Sequence, residues 1–246
     1  MDTKPTSPPR DVFLHLLSVA TLYVSVGSFI NLVFKLIENV FPDPIGYAFD
    51  FGESIRYSIA SLIIVFPVLF WVSRALERDV ARDPGKAELR VRKWLLYFTV
   101  FAAGALLIGD LVALVFHFLN GELTARFALK VLTILVVAGA VFGYYRWMLR
   151  RRGSAFPRQA RLFVAGVSLV VLASIVCGFL VAGSPFRARL ARLDGERIGH
   201  LQTIQNQVVY FWQQKDQLPD SLAELTDPIS GFVAPVDPVT HEPYAY

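Results

Sequence analysis

An all-α membrane protein is the expected fold class for this chain: a helical bundle of five transmembrane helices plus a small, mainly α extracytoplasmic module at the C-terminal end. Composition is the first reason. Hydrophobic residues make up 54% of 246 residues and charged residues only 18%, and mean hydropathy is +0.49. Soluble domains hold about 45–50% apolar residues even with glycine counted. Five long windows nearly free of charge are the second reason, and basic residues gathered in two of the intervening loops are the third. The single cysteine excludes a disulfide framework and a cysteine-rich metal site. Abundant apolar surface excludes disorder over most of the chain.

A membrane helix needs about 20 apolar residues to cross about 30 Å of hydrocarbon. Residues 1–11 are a short N-terminal segment, expected in the cytoplasm. Residues 12–34 contain no Asp, Glu, Lys or Arg. This stretch exceeds the apolar core of a signal peptide, about 7–15 residues, and no small-x-small cleavage site follows it. It is therefore expected to remain as the first span. Residues 57–73 lie between Arg56 and Arg74, and the shortness of this second span predicts that both arginines snorkel outward. Pro67 within it predicts a kink. Residues 94–120 carry Asp110 alone, and residues 127–145 carry Lys130 alone. Residues 12–150 thus read as a four-helix transmembrane domain. Gly139 and Gly143 form a GxxxG that permits close helix approach. A basic loop, 151–161, precedes the fifth span over 162–186, where Cys177 reads as a small apolar filler.

Lysine and arginine set the expected orientation. Arg74, Arg78, Arg82, Lys86, Arg90, Arg92 and Lys93 lie between spans two and three, and Arg146, Arg150, Arg151, Arg152, Arg158 and Arg161 between spans four and five. The opposite side has Lys35, Arg56, Arg126 and Lys130. The N-terminus is therefore expected inside and the C-terminus outside. Trp71, Trp94 and Trp147 fall at the same cytoplasmic boundary, where indole rings sit at headgroup level. The basic loops explain the net charge of +4. Without a recognised nucleic-acid module they imply lipid contact rather than nucleic-acid binding.

Composition changes after Gly183-Ser184-Pro185. Ser184 suits a helix N-cap and Pro185 a first turn. Leu190, Leu193, Leu201, Ile204, Val208 and Phe211 recur mostly at three- and four-residue steps, which predicts an amphipathic helix to about Gln214. Residues 216–219 break it, a short helix follows through Leu225, and the remainder reads as turns with one hairpin. The module, 187–246, is marginal in size for a core of its own.

Asp110 is the costliest residue. It lies near mid-membrane, where a lone carboxylate costs about 2.5–3.5 kcal/mol on insertion scales, so it is protonated, paired or facing water. His117 lies seven residues on, on nearly the same face. Asn31, Lys35 and Glu38 share a face of span one at i, i+4, i+7; Arg56 opens span two, and Arg126 and Lys130 open span four. Asp110, His117, Lys130, Arg126, Arg56, Asn31 and Lys35 are the candidate binding cluster, with Lys130 the cation expected to reach Asp110. A structural salt bridge that fixes helix register is the competing reading. No catalytic residue, metal site or cofactor is expected. There is no GxSxG, P-loop or GxGxxG. His15, His117, His200 and His241 are too scattered for zinc. Asp237, Thr240 and Glu242 read as turn residues rather than calcium ligands.

Two resemblances emerge from these residues. Arg92-Lys93-Trp94-Leu95 through Gly109-Asp110-Leu111, then Asn120 through Phe127, Lys130 and Gly143-Tyr144-Tyr145, resemble an uncharacterised bacterial domain-of-unknown-function family of four-helix membrane domains. The similarity covers roughly residues 11–150 and implies a fold and a location but no activity. Leu218-Pro219-Asp220-Ser221-Leu222 and Asp237-Pro238 through Pro243-Tyr244-Ala245-Tyr246 resemble the globular ends of type II secretion pseudopilins. The fifth span leading into a long amphipathic helix resembles them as well, but four spans precede that membrane helix, unlike the short leader of a pilin. The expected function is a non-enzymatic envelope interaction or assembly component of the bacterial inner membrane. It would contact the lipid bilayer, dock an envelope partner through residues 187–246 and form a homo-oligomer. The alternative is a small transporter, sensor or membrane enzyme that uses the polar cluster around Asp110.

Overall fold

A computed structural model describes residues 9–42, 51–121, 124–150, 158–226 and 231–246. Six helices follow one another among them: α1 (Pro9–Val40), α2 (Phe51–Arg82), α3 (Arg90–Leu119), α4 (Ala125–Arg150), α5 (Arg158–Ala182) and α6 (Pro185–Lys215). The first five are each long and apolar enough to cross a membrane. The basic loop at 151–157 lies outside the described residues. The chain forms two compact units, Met1–Ala182 and Gly183–Tyr246.

Along most of α1, in the first unit, the usual placement of polar and apolar residues is reversed. The buried face of α1 is Asp11, His15, Ser18, Thr21, Ser25, Ser28 and Leu32, in steps of three or four residues that repeat as helices wound about one another do. Phe13, Leu16, Leu17, Tyr23 and Val24 on its other faces are exposed. Large apolar side chains outside and small hydroxyl side chains inside suit a lipid surround, where helices pair through close approach and hydrogen bonds. Ser28 Oγ donates to Ser61 Oγ (2.9 Å), and Asn31 Nδ2 donates to Ser54 Oγ (2.9 Å) and Ser58 Oγ (2.7 Å). These bonds stitch α1 to α2. Thr21 and Thr99 donate their hydroxyls to carbonyls of their own helices, which satisfies the donors within the helix.

The apolar centre of this unit is Leu32, Ile55, Ile59, Leu62 and Val171, contributed by α1, α2 and α5. Gly178 sets how closely α5 lies on that pair. A Cβ there would stand 2.9 Å from Leu32 Cδ1 and 3.0 Å from Ile59 Cδ1. The expected close approach at Gly139 and Gly143 is corrected, because a Cβ at either meets nothing within 4 Å. Helix α2 runs unbroken through Pro67. Helices α3 and α4 form an antiparallel pair whose turn places Gly121 at φ +71°, a conformation that favours glycine. Thr124 Oγ1 accepts from Phe127 N (3.1 Å) and caps α4. Tyr23 Oη donates to Thr99 Oγ1 (3.4 Å) and ties α1 to α3. At the opposite end from Glu38, Lys86 Nζ lies 2.9 Å from Asp11 Oδ2.

The second unit follows the rule for a water-exposed module. Ile204, Phe211, Leu222 and Leu225 form its core, with Val208, Phe232, Ala234 and Tyr244 packed on it. Helix α6 ends where Asp216 turns to φ 51° and donates its N–H to Trp212 O (2.8 Å). A 3-10 turn, Leu222–Leu225, follows, and Val236 and Pro243 form one antiparallel bridge. Leu201, expected on the core stripe, is instead 51% exposed. The core is so small that one side of α6 fills it.

Candidate functional site

The polar residues predicted to cluster are positioned by the ends of α1 and α4. Glu38 is in the last turn of α1, three residues after Lys35, so both share one face. Arg126 and Lys130 lie in the first two turns of α4. Lys130 Nζ lies 2.7 Å from Glu38 Oε1, Arg126 Nη2 3.3 Å from the same oxygen, and Lys35 Nζ 2.9 Å from Glu38 Oε2. Glu38 is thus the hub of three cations, with its side chain 17% exposed. The Lys130 ammonium also stands 5.3 Å from the centroid of the Phe34 ring, a cation–π distance.

The expected reach of Lys130 toward Asp110 is corrected by this geometry. Gly104 lies against Phe142 and His117 against Phe127, which fixes the register of the antiparallel pair. On that register Lys130 stands more than one helical turn nearer the α3–α4 turn than Asp110 does. Its long stem runs outward to Glu38, as expected of an ammonium leaving the hydrocarbon.

Asp110 sits apart, on the buried face of α3 with Leu95, Thr99 and Ala103. It is 7% exposed, and its Oδ2 has no hydrogen-bond partner among the described residues. His117 packs its ring 4.2 Å from that of Phe127 and 5.6 Å from that of Phe116, so it joins the aromatic packing at the α3–α4 turn. Arg56 is exposed, with its guanidinium folded back over Gly52. Asn31 is engaged by Ser54 and Ser58. The seven candidates therefore separate into a trio of cations at Glu38 (Lys35, Arg126, Lys130), a clasp between α1 and α2 (Asn31), an aromatic contact (His117), a surface cation (Arg56) and a lone buried acid (Asp110).

Two elements escaped the sequence reading. The sequence shows the face that Glu38 shares with Asn31 and Lys35 but not its place as the common counter-ion of Lys35, Arg126 and Lys130. Its spacing from Asn31 and Lys35, i+7 and i+3, was the available signal. The stripe Ser18, Thr21, Ser25 and Ser28 was also missed, although hydroxyl side chains at three- and four-residue steps inside an apolar helix mark an interhelical face.

In the C-terminal unit, Asp237 organises the Asp-Pro motif. Its Oδ1 accepts from Val239 N (2.8 Å) and Thr240 N (2.9 Å), and Arg197 Nε donates to its Oδ2 (2.7 Å). The Arg197 guanidinium, joined by those two N–H groups, holds the Asp237 carboxyl well below the usual carboxylate range. His200 Nδ1 and Tyr244 Oη lie 3.0 Å apart. These contacts make the motif a clamp of the turn onto α6. Both oxygens of Asp237 are held by donors of this chain.

A family model described as Domain of unknown function (DUF5671) matches residues 11–145, which takes in α1, α2, α3 and most of α4. No curated protein matches the chain, and no solved structure does.

Proposed function

The chain belongs to that family of unknown function, and within it we propose a membrane-embedded docking component of a bacterial envelope rather than an enzyme. The carrying observation is the double stripe on α6. Ile204 and Phe211 are sealed in the core of the C-terminal unit, and the half-buried Val208 packs against it. Beside them on the same helix Ile198 (54%), Leu201 (51%), Val209 (46%) and Trp212 (50%) stand exposed. A helix with a second apolar stripe facing solvent has the anchors of helix-in-groove recognition, and such surface marks an interaction site. The occupant is an amphipathic helix of an envelope protein. The likeness of residues 218–246 to pseudopilin ends supports an assembly partner of that kind. The basic loops support a cytoplasmic N-terminus and an exported C-terminal unit in the inner membrane.

The test is a photo-crosslinking side chain placed in the full chain, in cells, at Leu201, Trp212 or Asn206. One identified adduct from Leu201 and Trp212, absent at Asn206 and lost on Leu201→Glu with the unit still folded, is expected. Equal adducts from all three positions, or an adduct indifferent to Leu201→Glu, would sink the reading.

Asp110 favours a second reading, because a mid-membrane carboxylate with an unpartnered oxygen is characteristic of proton or cation handling. Proteoliposomes decide it. Flux that Asp110→Asn abolishes without loss of folding supports this reading, and wild-type vesicles no leakier to protons or cations than empty ones remove it.

A further inference from the structure

Two clefts lie on the first unit, both near helix ends that adjoin the basic loops. The larger, about 460 Å³, lies between α1 and α3 and is lined by Leu16, Arg90, Val91, Trp94 and Leu95. Its walls are apolar except at Arg90, which is exposed and makes no ion pair among the described residues. Trp94, which lines the cleft and is 67% exposed, stacks its ring on Phe98, with centroids 5.9 Å apart and planes at 14°. A second cleft, about 340 Å³, lies between α4 and α5; Gly139, Gly143, Trp147 and Phe163 form most of its apolar wall, and Tyr144 and Gln159 add polar groups. Arg150 continues the line Gly139, Gly143, Trp147 along α4 at i, i+4, i+8 and i+11. It too is exposed, with no ion pair among the described residues.

We propose that these clefts bind anionic phospholipid, one acyl chain lying in each apolar slot and the headgroup phosphate held by Arg90 or Arg150. An apolar slot in a membrane-spanning unit is filled by hydrocarbon rather than water. What selects a lipid over a protein helix is size and charge. Along α3 the larger slot runs only from Arg90 to Leu95, about 9 Å at 1.5 Å per residue, whereas a spanning helix needs contact over much of about 30 Å. The planar guanidinium fork matches phosphate oxygens in a bidentate way. Basic pockets between membrane helices are a known type of anionic headgroup site. Arginine, tryptophan and apolar slot follow one another in the order of phosphate, interface and chain in a lipid.

The experiment uses the full-length protein in nanodiscs of phosphatidylcholine alone or mixed with phosphatidylglycerol, followed by release in detergent and native mass spectrometry of retained lipid. Wild type is expected to retain phosphatidylglycerol in preference to phosphatidylcholine. Arg90→Gln and Arg150→Gln, both surface changes that leave packing untouched, are each expected to cut that preference about fivefold. The variant Lys93→Gln, whose lysine pairs with Glu88, is the control and keeps the preference. Equal retention of both lipids by wild type, or an undiminished preference in the double arginine variant, overturns the proposal. So does efficient disulfide crosslinking between two copies through Leu16→Cys in a Cys177→Ser background, which would assign the larger cleft to a protein contact.

Discussion

Helices α1 and α6, one from each unit, solve the same packing problem with opposite chemistry. In α1 the buried face is hydroxyl-rich and the exposed faces carry Phe13, Leu16, Leu17 and Tyr23. In α6 the buried residues are Ile204 and Phe211, while Thr203, Gln205 and Asn206 are exposed. The surrounding solvent explains the inversion. Water drives apolar side chains inward, whereas lipid gives no such drive and leaves close approach and hydrogen bonds to hold helices together. The same substitution type should therefore have different consequences in the two units.

Phe211→Ala tests the water-facing side of that contrast. Removing a core aromatic costs about 3–5 kcal/mol, more than a unit this small is expected to spare. Hydrogen exchange of α6 amides in the full-length protein should become fast while the amides of α1 and α2 stay protected. If α6 stays protected, the core does not hold this unit together. Gly178→Ala tests the lipid-facing side. The new methyl meets Leu32 and Ile59 at under or near 3 Å, an overpacking worth about 1–3 kcal/mol, and thermal unfolding in detergent should show it. Gly139→Ala and Gly143→Ala, with open space around them, should leave the midpoint where it is.

Asn31→Ala removes two interhelical hydrogen bonds, each averaging about 0.6 kcal/mol in a membrane, so a loss of about 1 kcal/mol is expected in the same assay. Ser28→Ala and Ser25→Ala refine the point. Ser28 donates across to Ser61 and should cost about 0.6 kcal/mol. The buried Ser25 hydroxyl has no partner among the described residues, so its loss should be neutral or mildly stabilising. Equal effects would show that hydrogen bonding is not what the α1 stripe contributes.

The smallest effect belongs to the Arg197–Asp237 pair and appears only in acid. Asp237 has its carboxyl held below its ordinary value. Its contribution is therefore fully present above the unfolded carboxyl pKa of about 3.9 and is lost as pH falls from there through the lower folded value. A stability profile of the C-terminal unit should show an acid limb that Asp237→Asn flattens. An unchanged limb would assign acid sensitivity to other carboxylates.

The five apolar helices and α6 were legible in the sequence because charge-free length and three- and four-residue periodicity are one-dimensional signals. Depth and neighbour choice are not. Lys130 and Asp110 are both inward candidates by pattern, but a lysine stem is long enough to leave its own level, and only the register of α3 against α4 shows that it turns outward to Glu38. Likewise a GxxxG is visible in α4, whereas Gly178 gains its role from Leu32 and Ile59, residues more than a hundred positions away in the sequence. Leu201 and Ile204 look equivalent by periodicity. The size of the core, which spacing does not encode, decides that one is sealed and the other is not.

The hydroxyl stripe of α1 also bears on biosynthesis. Delivered into the bilayer before α2, α1 would present Ser18, Ser25 and Ser28 to lipid until a partner segment arrives. The next helix to emerge from the ribosome is α2, which carries the hydroxyls that meet Ser28 and Asn31. Chain order thus brings the partner hydroxyls of α2 directly after α1, which would shorten the interval in which a nascent chain exposes polar groups; α5, which seats through Gly178 on that pair, follows later in the chain.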